Sequence, residues 1–198
     1  MNKIEVLALE QAPEGSRELL TQVKGKFGFV PNFFGILAHA PAALNAYMSL
    51  SNLFSGSSLS PVEQQVVLLT VSFENDCHYC MAAHSTGARM AGISAEVLSA
   101  LQSGAPLPEA KLEALHEFTR KMVQSRGWIG DSDLRSFTSA GYGEQQVLEV
   151  ILGIAMKTLS NYTNHIANPP LDRAFQSQEW RKSARPADGN DMRAPSPL

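Results

Sequence analysis

The chain has 198 residues, enough for one sizeable domain or at most two small ones, and a single compact domain is the default expectation. Its composition, 44% hydrophobic and 18% charged, is that of an ordinary globular protein, and its apolar runs fall short of the roughly 20 residues that cross a bilayer. A net charge of -3, with Lys and Arg scattered singly, leaves no basic footprint for nucleic acid or an anionic membrane surface.

Glu5 and Glu10 stand where a signal peptide would need an uncharged apolar core, so a cytoplasmic location is expected. No stretch of four or more residues alternates apolar and polar as a half-buried strand would, and helical periodicity dominates, so the fold class is all-α. The first helix spans about residues 14–26 and stops near Gly28. Pro31 opens a short one over NFFGILAHA, and Pro41 suits the first turn of a third that runs to about Phe54. Ser60-Pro61-Val62-Glu63 is a capping box with proline at the first helical position, which predicts a helix from Ser60 to about Phe73. Its apolar stripe is Val62, Val66, Leu69 and Phe73; Gln65 falls at the stripe's edge, while Glu63 and Gln64 point outward.

Asn75 or Asp76 caps the next helix, which carries both cysteines of the chain and ends near Gly92. A short helix from Ser94 to about Ser103 follows, then a break at GAPLP, a helix from about Pro108 to Ser125, another from Asp131 to Ala140, and a long one from Glu144 to about Ala167. These form one helical domain over residues 1–182; residues 183–198, rich in Pro, Ala, Asp and Gly without an apolar period, read as a disordered tail.

The chemistry concentrates in ENDCHYCMAAHSTG, residues 74–87. At 100° per residue Cys77, Cys80 and His84 share an arc of roughly 60° on one helix face. Residues three apart at a helix start can form a disulfide, and an imidazole one turn beyond Cys80 can reach its sulfur. The helix N-terminus, the CxxC spacing and His84 as base or cation all favour a thiolate, whereas Glu74 and Asp76 oppose it by like-charge repulsion; Glu74 could instead orient a histidine. Two other readings stand beside a redox couple. One is a pair of buried cysteines acting as small hydrophobes; the other is half of a zinc site completed by distant His116 or His165, although no second cysteine pair exists to share a metal. His39 and His116 carry no signal beyond that of isolated histidines.

The run LSPVEQQVVLLTVSFENDCHYCMAAHS resembles the core of the alkylhydroperoxidase D / carboxymuconolactone decarboxylase superfamily. FGFVPNFFGILAHAPAALNAYMSL upstream and NYTNHIANPPLD downstream are similar to its peroxidase-related subgroup, so the resemblance covers about residues 15–175. It implies an all-helical oligomer, a trimer or a dimer of trimers, with Cys80 as peroxidatic cysteine, Cys77 as resolving cysteine and His84 ending a proton relay. Two positions depart from the family's pattern. Its relay begins with a glutamate twelve residues before the first cysteine, where this chain has Gln65, which takes no proton, so Glu63 or Glu74 would have to substitute. The hydroperoxidase's histidine immediately before the second cysteine is Tyr79 here, with His78 one place earlier.

Glu63-Gln64-Gln65-Val66 recurs as Glu144-Gln145-Gln146-Val147, which suggests an internal repeat of a helix pair. The same offset carries Cys80 to Asn161 and His84 to His165, both inside a stripe set by Val147, Ile151, Ile154 and Thr158, as candidate supports of the site.

The expectation is therefore a thiol-dependent peroxidase or disulfide reductase of antioxidant defence. It would take a hydroperoxide substrate and an external dithiol, lipoyl-type or thioredoxin-like. No cofactor or metal is called for, and there is no Gly-rich phosphate loop. Alternatives are a carboxymuconolactone decarboxylase-type lyase, which would not depend on the CxxC pair, and a non-catalytic redox-responsive module. The apolar helix stripes and the aromatics of FGFVPNFF suggest contacts between subunits.

Overall fold

The computed structural model describes residues 4–182; the tail expected over 183–198 lies outside them. The described residues form α1 (Glu14–Phe27), α2 (Asn32–Leu37), α3 (Pro41–Ser55), α4 (Pro61–Glu74), α5 (His78–Met90), α6 (Ala95–Ser103), α7 (Ala110–Ser125), α8 (Asp131–Ser139) and α9 (Glu144–Ala167), with no strand among them. Short 3₁₀ turns at Leu9–Gln11 and Arg173–Gln178 carry no apolar period and escaped the sequence reading. The fold is all-α, and no helix of the described residues is long and apolar enough to cross a membrane.

The centre of the bundle is α4, which packs against α5, α6, α7 and α9. Its start is the capping box: the Ser60 hydroxyl accepts the Glu63 N–H at 3.3 Å, and the Glu63 carboxylate accepts the Ser60 N–H at 2.8 Å. Every residue from Val66 to Ser72 is buried, so α4 has no solvent face beyond its first turn. Thr70 and Ser72 satisfy their hydroxyls by donating back to the carbonyls of Val66 and Leu68, both at 2.7 Å.

Two features differ from expectation. Glu63 turns inward and is nearly buried, accepting from the Tyr142 hydroxyl at 2.9 Å and pairing with Lys111 at 3.3 Å. Phe33 and Phe34 are buried within the chain and form an edge-on cluster with Tyr47, with ring centroids 4.7 and 5.6 Å from it. That removes them as an argument for subunit contacts.

Helix α9 lies against α2, α3, α4, α5 and α7. Its inward face is Val150, Gly153, Met156, Lys157, Ser160, Asn161, Asn164 and Ala167, whereas Ile151 and His165 are exposed. The expected stripe was thus rotated from the true one, and Asn161 alone of the two proposed repeat positions faces inward. The two copies of Glu-Gln-Gln-Val do begin helices that pack on each other, but α9 runs unbroken past the point where the first copy breaks between α4 and α5.

Gly153 sets how closely α9 approaches the centre. A Cβ there would stand 2.8 Å from Phe54 Cε2 and 2.9 Å from Val67 Cγ1. Gly153→Val is expected to lower the melting temperature by roughly 5 °C or more and to displace Lys157 one turn on, slowing Cys80 alkylation. Thermal denaturation combined with thiol alkylation checks both effects.

Candidate active site

The link between α4 and α5 places the first cysteine. Asp76 takes a left-handed conformation at φ 53°, which an aspartate tolerates better than most side chains. This allows the Cys77 N–H to reach back to the Ser72 carbonyl at 2.9 Å and close α4. The Cys77 carbonyl then accepts the Met81 N–H at 2.9 Å, so Cys77, and neither Asn75 nor Asp76, caps α5. The Asn75 amide donates to the Asn161 carbonyl oxygen at 2.9 Å, bracing this turn against α9. Cys80 follows in the first turn of α5, where unpaired N–H groups and the helix dipole favour an anion. Both thiols are buried and no disulfide joins them.

Cys80 lies in the wall of a cavity of about 460 Å³. His84 and Gln65 line the same cavity, with Phe33, Phe34 and Tyr47 as an aromatic wall and Lys157 and Ser160 reaching in from α9. The Asn164 amide donates to Cys80 Sγ at 3.2 Å and lies 3.9 Å from Cys77 Sγ, while Ser160 Oγ is 3.8 Å from Cys80 Sγ. Lys157 is completely enclosed, and its Nζ has no hydrogen-bond partner among the described residues.

Burial opposes ionisation of Cys80, but the Cys77 thiol donating to its sulfur and the charge of Lys157, with Ser160 in support, hold its pKa well below the usual thiol value. Cys77 moves the opposite way, because its proton is held by Cys80 and because it is buried beside that anion. One proton is thus shared unequally by the pair, on Cys77. His84 is pushed well below the usual histidine range, first by burial and then by the Lys157 charge, so it faces the cavity as a neutral imidazole. The cation beside the thiolate is therefore Lys157.

The other candidates are placed as follows. Gln65 lies against Gly87 on α5, its Oε1 buried without a donor among the described residues. Glu63 is held in the capping box, where burial is outweighed by Ser60, Tyr142 and Lys111 and its pKa is lowered; it does not line the cavity. Glu74 accepts from the Gln124 amide at 2.9 Å, at the far end of α4. Neither carboxylate stands in for the missing relay glutamate. Tyr79 lines the cavity, donates to the Asp172 carboxylate and accepts the Phe33 N–H at 3.3 Å. Burial and the Asp172 carboxylate keep its hydroxyl protonated. Asp172 also accepts the Asn32 N–H at 3.2 Å, so the tyrosine ties α5 to α2. His78 is exposed, 3.9 Å from Asp76, and His165 is exposed near Tyr162. His116 is a satisfied core histidine, bonded to Thr70 at 2.8 Å. No three His, Cys, Asp or Glu side chains converge as metal ligands among the described residues.

Sequence reasoning missed Lys157, Ser160, Asn164 and Tyr47. A single lysine inside the apolar run ILGIAMKTLS was the available signal for the first, since a charge there must face either solvent or a buried partner.

Because Lys157 rather than His84 lowers the Cys80 pKa, His84→Ala is expected to leave the pH profile of Cys80 alkylation nearly unmoved while slowing peroxide turnover about 10- to 100-fold. Parallel alkylation and turnover assays separate the two effects.

Residues 39–114 match the Carboxymuconolactone decarboxylase family. No curated relative matches the sequence. Among solved structures, the chain resembles the alkylhydroperoxidase AhpD core of an uncharacterized peroxidase-related protein from Ralstonia eutropha, with 24% identity and a TM-score of 0.77 over 92% of this chain and 100% of that one. An uncharacterized peroxidase-related protein from a Silicibacter species shares 21% identity at a TM-score of 0.75, over 89% of this chain and 95% of that one. The debrominase Bmp8, solved with 2,3,4-tribromopyrrole, shares 16% at 0.75, over 90% and 96%. The family match over residues 39–114, across the cysteine-bearing helix, and the fold shared over most of the chain support a likeness to the alkylhydroperoxidase D / carboxymuconolactone decarboxylase superfamily.

Proposed function

We propose that the protein is a thiol-dependent peroxidase of antioxidant defence, on one observation above all: a buried lysine without another partner faces a cysteine whose neighbour can complete a disulfide. The Cys80 thiolate attacks the terminal oxygen of a hydroperoxide, an S–O bond forms as the O–O bond breaks, and the charge passes to the leaving alkoxide, which takes a proton from water. Lys157 sits beside that charge throughout and lowers the energy of its transfer.

Once Cys80 is a neutral sulfenic acid, it no longer repels an anion on Cys77, and the Lys157 charge, which favours the Cys77 thiolate, lacks a partner. Cys77 then attacks Cys80 Sγ; the disulfide forms, and the expelled hydroxide leaves as water with the proton that Cys77 gave up. Neutral His84 is the group in the cavity suited to carry that proton. An external dithiol, lipoyl-type or thioredoxin-like, restores the reduced pair. The cytoplasm is the compartment proposed, because two thiols of this kind need reducing surroundings to cycle.

Leu148, Ile151, Tyr162 and Ile166 are exposed along one face of α9, which supports a homo-oligomer, as a trimer or hexamer. The test of function is turnover: with dithiothreitol as reductant, an organic hydroperoxide should yield one alcohol per disulfide formed. No alcohol above the uncatalysed rate would sink the reading.

The aromatic wall of Phe33, Phe34 and Tyr47 favours a second reading, reductive removal of halogen from an aromatic ring, as the debrominase's name suggests for that protein. Halide release from a brominated pyrrole, with dithiothreitol oxidised in equal amount, would favour it over peroxide reduction.

A further inference from the structure

The two sulfurs open on different sides of the start of α5. Cys80 lines the aromatic-walled cavity and Cys77 does not. Cys77 instead lines a second cleft of about 720 Å³, between the start of α5, the C-terminal end of α9 and the segment after it; Cys80 is absent from that lining. Tyr79 borders both spaces, and its anchoring to Asp172 and the Phe33 N–H makes it a fixed partition.

Asn164 reaches the sulfurs from the second side. Its Nδ2 donates to Cys80 Sγ, while its Oδ1 is buried and has no donor among the described residues. A buried carbonyl oxygen left unpaired is costly, and a donor on an entering molecule would satisfy it.

We propose that the two half-reactions use separate entrances: the oxidising substrate meets Cys80 in the first cavity, and a small dithiol enters the second cleft and attacks Cys77 of the oxidised pair. The inference rests on the thiol redox reading above. The incoming thiolate forms a bond to Cys77 Sγ, and the electron pair of the Cys77–Cys80 bond leaves on Cys80, as a thiolate beside Lys157. The second thiol of the reductant then attacks its own sulfur in the mixed disulfide, freeing Cys77, which takes up a proton, and the reductant departs as a cyclic disulfide. The better-stabilised thiolate is the better leaving group, so attack at Cys77 is the faster direction. Cys77 is 1% exposed, so of the two reductant types a slender lipoyl-type dithiol reaches it more readily than a thiol fixed on a protein surface.

The experiment separates this inference from the peroxidase reading by oxidising the protein with diamide in place of peroxide. The oxidised protein is mixed with excess 2-mercaptoethanol, which cannot cyclise, the exchange is quenched after a short interval with a larger excess of N-ethylmaleimide to cap the released thiol, and the adducts are mapped by mass spectrometry. The expected result is mercaptoethanol on Cys77 and maleimide on Cys80. A His165→Trp substitution at the cleft should also slow reduction by dithiothreitol roughly tenfold or more, with peroxide oxidation of Cys80 keeping its rate. Mercaptoethanol on Cys80, or equal slowing of both half-reactions, overturns the two-entrance arrangement while leaving the redox pair intact. Failure of diamide to join Cys77 to Cys80 overturns the redox reading and this inference together.

Discussion

In the Cys77→Ser protein, one equivalent of an organic hydroperoxide is expected to leave a single sulfenic acid on Cys80, trapped by dimedone, whereas Cys80→Ser gives no adduct. Turnover should fall by on the order of 10³-fold or more in Cys80→Ser, because no other thiol of the described residues lines the cavity. Cys77→Ser should also lose turnover, but only after its first event, since the sulfenic acid then has no partner with which to condense. The asymmetry follows from the unequal proton on the pair: Cys80 is held below the usual thiol pKa and Cys77 above it. If the two serine variants behave alike, or if the adduct maps to Cys77, the assignment of roles is reversed or void. A carboxymuconolactone decarboxylase-type lyase would keep its activity in both.

The second large effect is expected from Lys157→Met. A thiol at its ordinary pKa of ~8.5 is only a few per cent ionised at neutral pH, and burial without the lysine would raise it further, so alkylation of Cys80 at pH ~7 should slow by about 10²-fold. In the unsubstituted protein the rate should stay level from alkaline pH down through neutrality and fall only as pH drops through the depressed pKa of Cys80.

Stability should move in a direction that sets this lysine apart from a merely structural one. Lys157 Nζ is buried without a hydrogen-bond partner, so at a pH below the folded pKa of Cys80, where no thiolate faces it, exchange for a methionine of similar length should leave the melting temperature equal or higher. The folded pKa of Cys80 lies below its unfolded value, so the stability that its ionisation contributes is fully present above ~8.5 and is lost as pH falls through the folded pKa. Lys157→Met lacks that slope. Its stability relative to the parent should therefore rise as pH is lowered from ~9 to ~5, which paired thermal melts would show. An unchanged alkylation profile in Lys157→Met would mean that the helix terminus, not this cation, activates Cys80.

Most of the scaffold was legible because its signals are local. The Ser60 capping box, Pro41 at a first turn and the Ser94 cap all stand where their residue types predicted. The cap of α5 was not, because a left-handed Asp76 let the chain turn one or two residues later than its polar side chains suggested. Half of the site was legible for the same reason: Cys77, Cys80 and His84 lie on one helix, and spacing alone puts them together. The half on α9 was hidden by its own chemistry. Its inward face carries Gly153, Lys157, Ser160 and Asn164, small or polar for close approach and for contact with sulfur, while Leu148 and Ile151 face outward. A search for an apolar stripe therefore turned the helix the wrong way, taking His165 inward and passing over Lys157. Gln65 lines the same cavity as Cys80 and His84, with Lys157 as the cation there in place of a relay carboxylate.

The measurement that tests the central claim most directly is the stopped-flow rate of the fully reduced protein with an organic hydroperoxide at pH ~7, followed by counting of the remaining thiols. The account predicts loss of both thiols per peroxide, at a second-order rate on the order of 10²-fold above that of a free thiol of ordinary pKa. A rate no faster than that of the free thiol, with both cysteines still titratable afterwards, would contradict it.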